Sequence, residues 1–154
     1  MGSGGGKSAK KVDKSGKSGI IKLGINLFDK SDPIYFDAFS IEEEPGFKDV
    51  MLHGSSSSVQ ITEKGKPKNL KPSEFALYLK TKGYTGGNIR LASCETGKGE
   101  NSFAQQLSKI LGVKVKAPDS DVFFIPNEGI LFVGSPFSNT GKWRIFEKGV
   151  EIID

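Results

Sequence analysis

From Ile20 onward the chain is a series of short apolar runs separated by glycine-rich and polar turns, and the period of each run sets an element. Ile21 to Leu27 alternates apolar and polar positions and predicts a strand. Ile34-Tyr35-Phe36 predicts a further short strand. Asp49 to Leu52 predicts another, ending at His53. Glu42 to Gly46 reads as a loop. Val59 to Thr62 alternates as a strand into a turn around Gly65 and Pro67. Pro72 to Thr81 predicts a helix: Phe75, Ala76 and Leu79 share one face, Pro72 suits the first turn, and Gly83 suits the stop. Gly86-Gly87 turns the chain into a strand from Ile89 to Ser93, immediately before Cys94. A second helix from Ser102 to Leu111 carries Phe103, Ala104, Leu107, Ile110 and Leu111 as one stripe, closed by Gly112. Val113 to Ala117 predicts a strand ending at Pro118. In the last third, Val122 to Ile125 and Ile130 to Val133 flank Pro126-Asn127-Glu128-Gly129. Trp143 to Glu147 and Val150 to Ile153 flank Lys148-Gly149. Both arrangements predict hairpins.

Strand, helix, strand, helix, strand over residues 49–117 is a βαβαβ order. Parallel strands joined through helices need crossover connections. The expected fold class is therefore α/β, with a mostly parallel central sheet flanked by helices and with C-terminal β-hairpins. Residues 1–19 are Gly, Ser and Lys with almost nothing to bury and read as a disordered linker or tag. Residues 20–154 read as a single α/β domain.

Composition changes this picture little. The net charge of +4 suggests an anionic partner, but lysines of residues 1–19 carry it, and the remainder is close to neutral. A nucleic-acid partner is therefore not expected. The single cysteine excludes an intramolecular disulfide, no stretch has the length of a membrane span, and no apolar signal-peptide core is present.

The only histidine and the only cysteine matter more. His53 and Cys94 each follow an apolar strand, and strand exits are where α/β folds place their chemistry. Neighbouring parallel strands exit on one edge, so adjacency of the two strands would bring imidazole and thiol together. A thiolate attacks where a thiol does not, and a histidine can take its proton. The N–H groups of Gly54 and Cys94 could form an oxyanion hole. Asp119 and Asp121, past the Val113 strand, are candidate contacts to a basic substrate residue. Each lone residue also has a plain reading, the cysteine as a small buried hydrophobe and the histidine as a hydrogen-bonded surface residue. One cysteine and one histidine make no four-ligand zinc site, and Gly97-Lys98-Gly99 lacks the phosphate-loop spacing, so neither metal nor cofactor is expected. The aromatics Phe123, Phe124, Phe132, Phe137, Trp143 and Phe146 read as core and hairpin packing.

An apolar strand ending in His53-Gly54, followed by one ending in Ser93-Cys94, resembles the caspase-like cysteine peptidase clan. The segments Leu52-His53-Gly54-Ser55 and Leu91-Ala92-Ser93-Cys94-Glu95-Thr96-Gly97 are also similar to C-terminal domains of bacterial polymorphic toxins of the Rhs and wall-associated kinds. Phe103 to Leu107, Leu111-Gly112-Val113, Ala117-Pro118 and Pro136 to Trp143 share that similarity. The resemblance implies a caspase-like fold with Cys94 as nucleophile, His53 as general base and Gly54 as oxyanion donor. It also implies a protein or peptide substrate, a cognate immunity protein, and secretion or delivery into the cytoplasm of a target cell. The chain departs from caspases in having Ala92-Ser93 before the cysteine and the acidic Glu95 after it, and in lacking a recognisable arginine set for an acidic substrate residue. Two other functions remain open: a toxin domain of different chemistry, such as a nuclease or NAD-consuming enzyme, and a non-catalytic caspase-like binding module.

Overall fold

The computed structural model describes residues 24–38, 41–125, 130–134 and 141–153. The proposed linker of residues 1–19, the first half of the Ile21–Leu27 strand, the turn at 126–129 and most of the Pro136–Trp143 segment lie outside them. In chain order the elements are β1 (Ile25–Asn26), α1 (Ile34–Asp37), β2 (Lys48–Met51), β3 (His53–Gly54), β4 (Val59–Glu63), β5 (Lys66–Leu70) and α2 (Pro72–Thr81). They continue with β6 (Ile89–Ala92), α3 (Phe103–Leu111), β7 (Lys114–Pro118), β8 (Val122–Ile125), β9 (Ile130–Val133), β10 (Trp143–Glu147) and β11 (Val150–Ile152).

Six strands form the central sheet in the order β1-β2-β6-β7-β10-β11. The β1/β2, β2/β6 and β6/β7 ladders are parallel, whereas β7/β10 and β10/β11 are antiparallel. The sheet is therefore mixed, which corrects the expectation of a mostly parallel one. The C-terminal hairpin forms as expected, and it also adds β10 to the free edge of β7, with Trp143 opposite Pro118 and Glu147 opposite Lys114.

The two faces of the sheet are covered differently. Val50, Leu52, Ile89, Leu91, Val115, Ala117 and Phe146 pack beneath α2 and α3, against Phe75, Leu79, Phe103 and Leu107. Met51 and Ala92 point the other way and meet Phe28, Ala38, Ile41, Ile34, Tyr35 and Phe124. Burial on both faces explains why β2 and β6 read as nearly continuous apolar runs. Asp49 and Arg90, two positions before Met51 and Ala92 on their strands, also share this second face. Their paired charges continue to Glu44, which accepts both oxygens' bonds from Lys116 Nζ at 2.9 Å.

Two helices match their predicted ranges for local reasons. In α2, Pro72 opens the first turn and the Glu74 carboxylate accepts the Lys71 N–H at 2.8 Å. In α3, Ser102 Oγ accepts the Gln105 N–H, and Gly112 closes the helix in the left-handed conformation at φ 70°. The expected strand at Ile34-Tyr35-Phe36 is instead the short helix α1. Asp32 Oδ1 accepts the Ile34 N–H at 3.1 Å and Pro33 holds φ at −55°, so local bonds turn the chain before it can extend. The expected turn around Gly65 and Pro67 is narrower. Lys64 and Gly65, at φ 53° and 77°, form it, and Pro67 already lies in β5 opposite Thr62.

Candidate active site

The parallel ladder of β2 and β6 pairs Val50 with Leu91 and Met51 with Ala92. His53 and Cys94 each lie two positions beyond that last pair. The strand adjacency that the His53/Cys94 reading required is present. The two exits differ from the simple expectation, however. His53 is not in a free loop: Leu52 bends the chain out of the sheet, and His53-Gly54 becomes β3, the first strand of the antiparallel β3-β4-β5 sheet.

That bend aims the Gly54 amide. The Leu52 N–H reaches Ala92 O at 3.4 Å, on the β6 side. Beyond the bend, Ser55 donates to Ser58 O, which makes the next pair, Gly54 and Val59, the one without ladder bonds, so the Gly54 N–H points away from β4. A side chain at 54 would collide with Ser93 Oγ and come within 2.9 Å of Thr96 Cγ2, so glycine alone lets the two exits meet. Ser93 Oγ lies buried in that junction without a hydrogen-bond partner among the described residues.

The His53 ring is held from two sides. Its Nε2 lies 2.5 Å from Asp32 Oδ2, and the Phe28 ring meets it edge-on at 4.8 Å, with Phe124 edge-on to Phe28 at 5.9 Å. Its side chain remains 48% exposed, so solvent and ligands reach it. Burial draws the Asp32 carboxyl upward, but the hydrogen bond from His53, the Ile34 amide and the charge of His53 together carry it below the usual carboxylate value.

Cys94 is partly buried in the turn from Ser93 to Thr96, where Thr96 Oγ1 donates to Ser93 O at 2.8 Å. Glu95 takes φ 60°, an unfavourable conformation for a residue with a side chain. The turn is stitched to the end of β7 by Glu95 N–H to Ser120 O at 2.9 Å and Gly97 N–H to Pro118 O at 2.7 Å. Cys94 Sγ accepts the Val122 N–H at 3.4 Å. Burial pushes the thiol above its ordinary value. The Asp121 and Glu95 carboxylates push it further, and the Val122 amide opposes them. At rest Cys94 is thus a neutral thiol, and among the described residues no hydrogen bond joins it to His53.

Helix α3 ties the exits to each other. Its first amides are spent outside the helix: Phe103 N–H bonds Ser56 O at 2.9 Å on the His53 side, and Ala104 N–H bonds Thr96 O at 2.8 Å on the Cys94 side.

Asp119 and Asp121 part company. Asp119 Oδ1 accepts the Lys142 N–H at 2.8 Å and Ser120 Oγ at 2.9 Å, so it fastens β7 to the start of β10. Asp121 is the one beside the thiol. Sequence reasoning missed Asp32, Phe28 and Ser93. An Asp before a proline is a local turn signal that the reading of Ile34-Tyr35-Phe36 as a strand passed over, and nothing local showed that the second Asp32 carboxylate oxygen reaches His53. Among the described residues no cluster of His, Cys, Asp and Glu is suited to a metal ion, and no helix is long and apolar enough to cross a membrane.

A family model described as a domain of unknown function, DUF8616, matches residues 23–133. The chain belongs to the DUF8616 family. The DUF8616 match contains β1 to β9, and with them His53, Cys94, Asp32 and Asp121; β10 and β11 follow it. Searches of curated proteins and of solved structures found no match.

Proposed function

We propose that this DUF8616 domain is a cysteine hydrolase that cleaves peptide bonds, with Cys94 as nucleophile and His53 as general base. The β2/β6 register carries the reading, because it sets the chain's only imidazole and only thiol at neighbouring ends of parallel strands. In the proposed reaction the thiol proton passes to His53 as sulfur bonds to the carbonyl carbon. The Gly54 and Cys94 N–H groups receive the developing oxyanion. His53 then returns the proton to the leaving amine, the C–N bond breaks, and water hydrolyses the thioester. Because Cys94 rests as a thiol, proton transfer accompanies attack rather than preceding it.

The resemblance of the β2–β3, β6, α3 and β7 segments to polymorphic toxin domains supports a caspase-like effector. Such an effector would be secreted or delivered, act on a protein in a target-cell cytoplasm, and be held by a cognate immunity protein. The test is cleavage of peptide libraries by wild type, Cys94→Ala and His53→Ala. Loss of cleavage in both variants, with unchanged circular dichroism, is the expected result. Cleavage or toxicity persisting in Cys94→Ala would overturn the reading. A second reading, a non-catalytic binding module, is favoured by the surroundings of Cys94: burial and the Asp121 and Glu95 carboxylates push the thiol above its ordinary value, and among the described residues no hydrogen bond joins it to His53. Wild type that neither cleaves peptides nor loses toxicity on Cys94 alkylation would select it.

A further inference from the structure

We infer that Asp32 is a positioning residue that fixes the tautomer of His53, so that Nδ1 is the ring atom that takes the Cys94 proton. The inference rests on the hydrolase reading for its catalytic part and on geometry alone for its tautomer part. A carboxylate oxygen only accepts, so the 2.5 Å contact between Asp32 Oδ2 and His53 Nε2 requires the proton on Nε2. In the neutral ring Nδ1 is then the acceptor. The carboxylate is itself fixed, since its other oxygen accepts the Ile34 N–H at 3.1 Å as the chain enters α1. Phe28 closes the side of the ring at 4.8 Å and limits its rotation. Two contacts from one short segment, residues 28–34, therefore define both the plane of the imidazole and its basic atom. An orienting group behind a catalytic base is the general logic of such sites. Here it would come from the loop after β1, on the opposite side of β2 from Cys94.

The chain holds one histidine, so ¹⁵N-histidine labelling reads this ring alone. In its neutral form the wild-type ring should carry the proton on Nε2, with a downfield Nε2–H resonance protected from solvent exchange. Asp32→Ala should lose that resonance and mix the tautomers. Asp32→Asn keeps an oxygen for the Ile34 amide, and serves if the alanine variant fails to fold. Its amide N–H₂ can donate to the ring, so it should lose or invert the preference. In peptide cleavage, Asp32→Asn should lower kcat roughly 100-fold with KM little changed. A wild-type ring protonated on Nδ1, or a tautomer unchanged in both variants, overturns the inference. A tautomer that shifts as stated in a protein without cleavage activity leaves Asp32 as the orienting group and removes only the hydrolase reading. Cleavage that depends on Cys94 but is indifferent to Asp32→Asn removes the catalytic role of Asp32.

Discussion

The two strand exits lie in register, each candidate residue two positions beyond the last β2/β6 pair, yet they are built in opposite ways. The Cys94 exit is a backbone structure. Its turn is fixed by amide bonds to Ser120 and Pro118, and burial, with the Asp121 and Glu95 carboxylates, pushes its thiol above the ordinary value. The His53 exit is a side-chain structure, with the ring held by one carboxylate and one phenyl edge and open to solvent. A nucleophile must meet the substrate carbon at a fixed place, and a rigid turn provides that. A base need only keep its acceptor atom aimed, and two side-chain contacts suffice.

The strongest way to break this comparison is on the Cys94 side. A methyl group at Gly97 would lie 2.7 Å from Ala117 O, a backbone atom that cannot swing aside. Gly97→Ala should cost about 3 kcal/mol in denaturant unfolding. A cost near zero would show that the turn is not rigid. Gly54→Ala strikes the junction of both exits and should cost about 2 kcal/mol. Part of that arises from Ser93 Oγ, so the cost should fall by about 1 kcal/mol in a Ser93→Ala background. Ser93→Ala alone removes a buried hydroxyl that has no partner among the described residues and should be neutral or stabilising by up to about 1 kcal/mol. Additive effects would mean that the hydroxyl rotates out of the way.

Charge at the thiol sharpens the contrast. Glu95→Gly removes one acidic neighbour and relieves a positive φ. It should stabilise the fold by about 1 kcal/mol and speed alkylation of Cys94 at neutral pH. Asp121→Asn should also speed alkylation, without the gain in stability. Because the folded thiol titrates above its unfolded value, its contribution is complete below the ordinary thiol range and is lost as pH rises through the folded value. The wild type should therefore lose stability in mild alkali, and Cys94→Ser should lose less. The smallest effect belongs to Asp32. Its depressed carboxyl contributes above the unfolded carboxylate range and loses that contribution as pH falls through the folded value. With His53 half exposed, the stability difference between wild type and Asp32→Asn should stay below about 1 kcal/mol and vanish in strong acid.

Local pattern carried the helices and the strand that leads to each candidate residue, because α2 and α3 are bounded by Pro72, Gly83, Ser102 and Gly112 and each buries one apolar face. It carried the existence of the C-terminal hairpin, since Lys148-Gly149 is a local turn signal. It did not carry the docking of that hairpin on β7, which depends on which sheet edge is free, a long-range property. Ile34-Tyr35-Phe36 has no period of its own, so the Asp32 and Pro33 before it decided its shape. The same Asp32 escaped notice as part of the candidate site because its contact joins the loop after β1 to His53 in β3, 21 positions away in the chain. The pairing of Asp121 with Cys94 escaped in the same way, although Asp121 itself was singled out by position.

The two amides at the head of α3 are, in effect, separate clocks. Phe103 N–H can exchange with deuterium only when the hairpin bearing Ser56 lifts, and Ala104 N–H only when the turn bearing Thr96 opens. Adjacent residues on one helix thus time the breathing of the two strand exits, and a molecule that bridges the exits would make both clocks run slow at once.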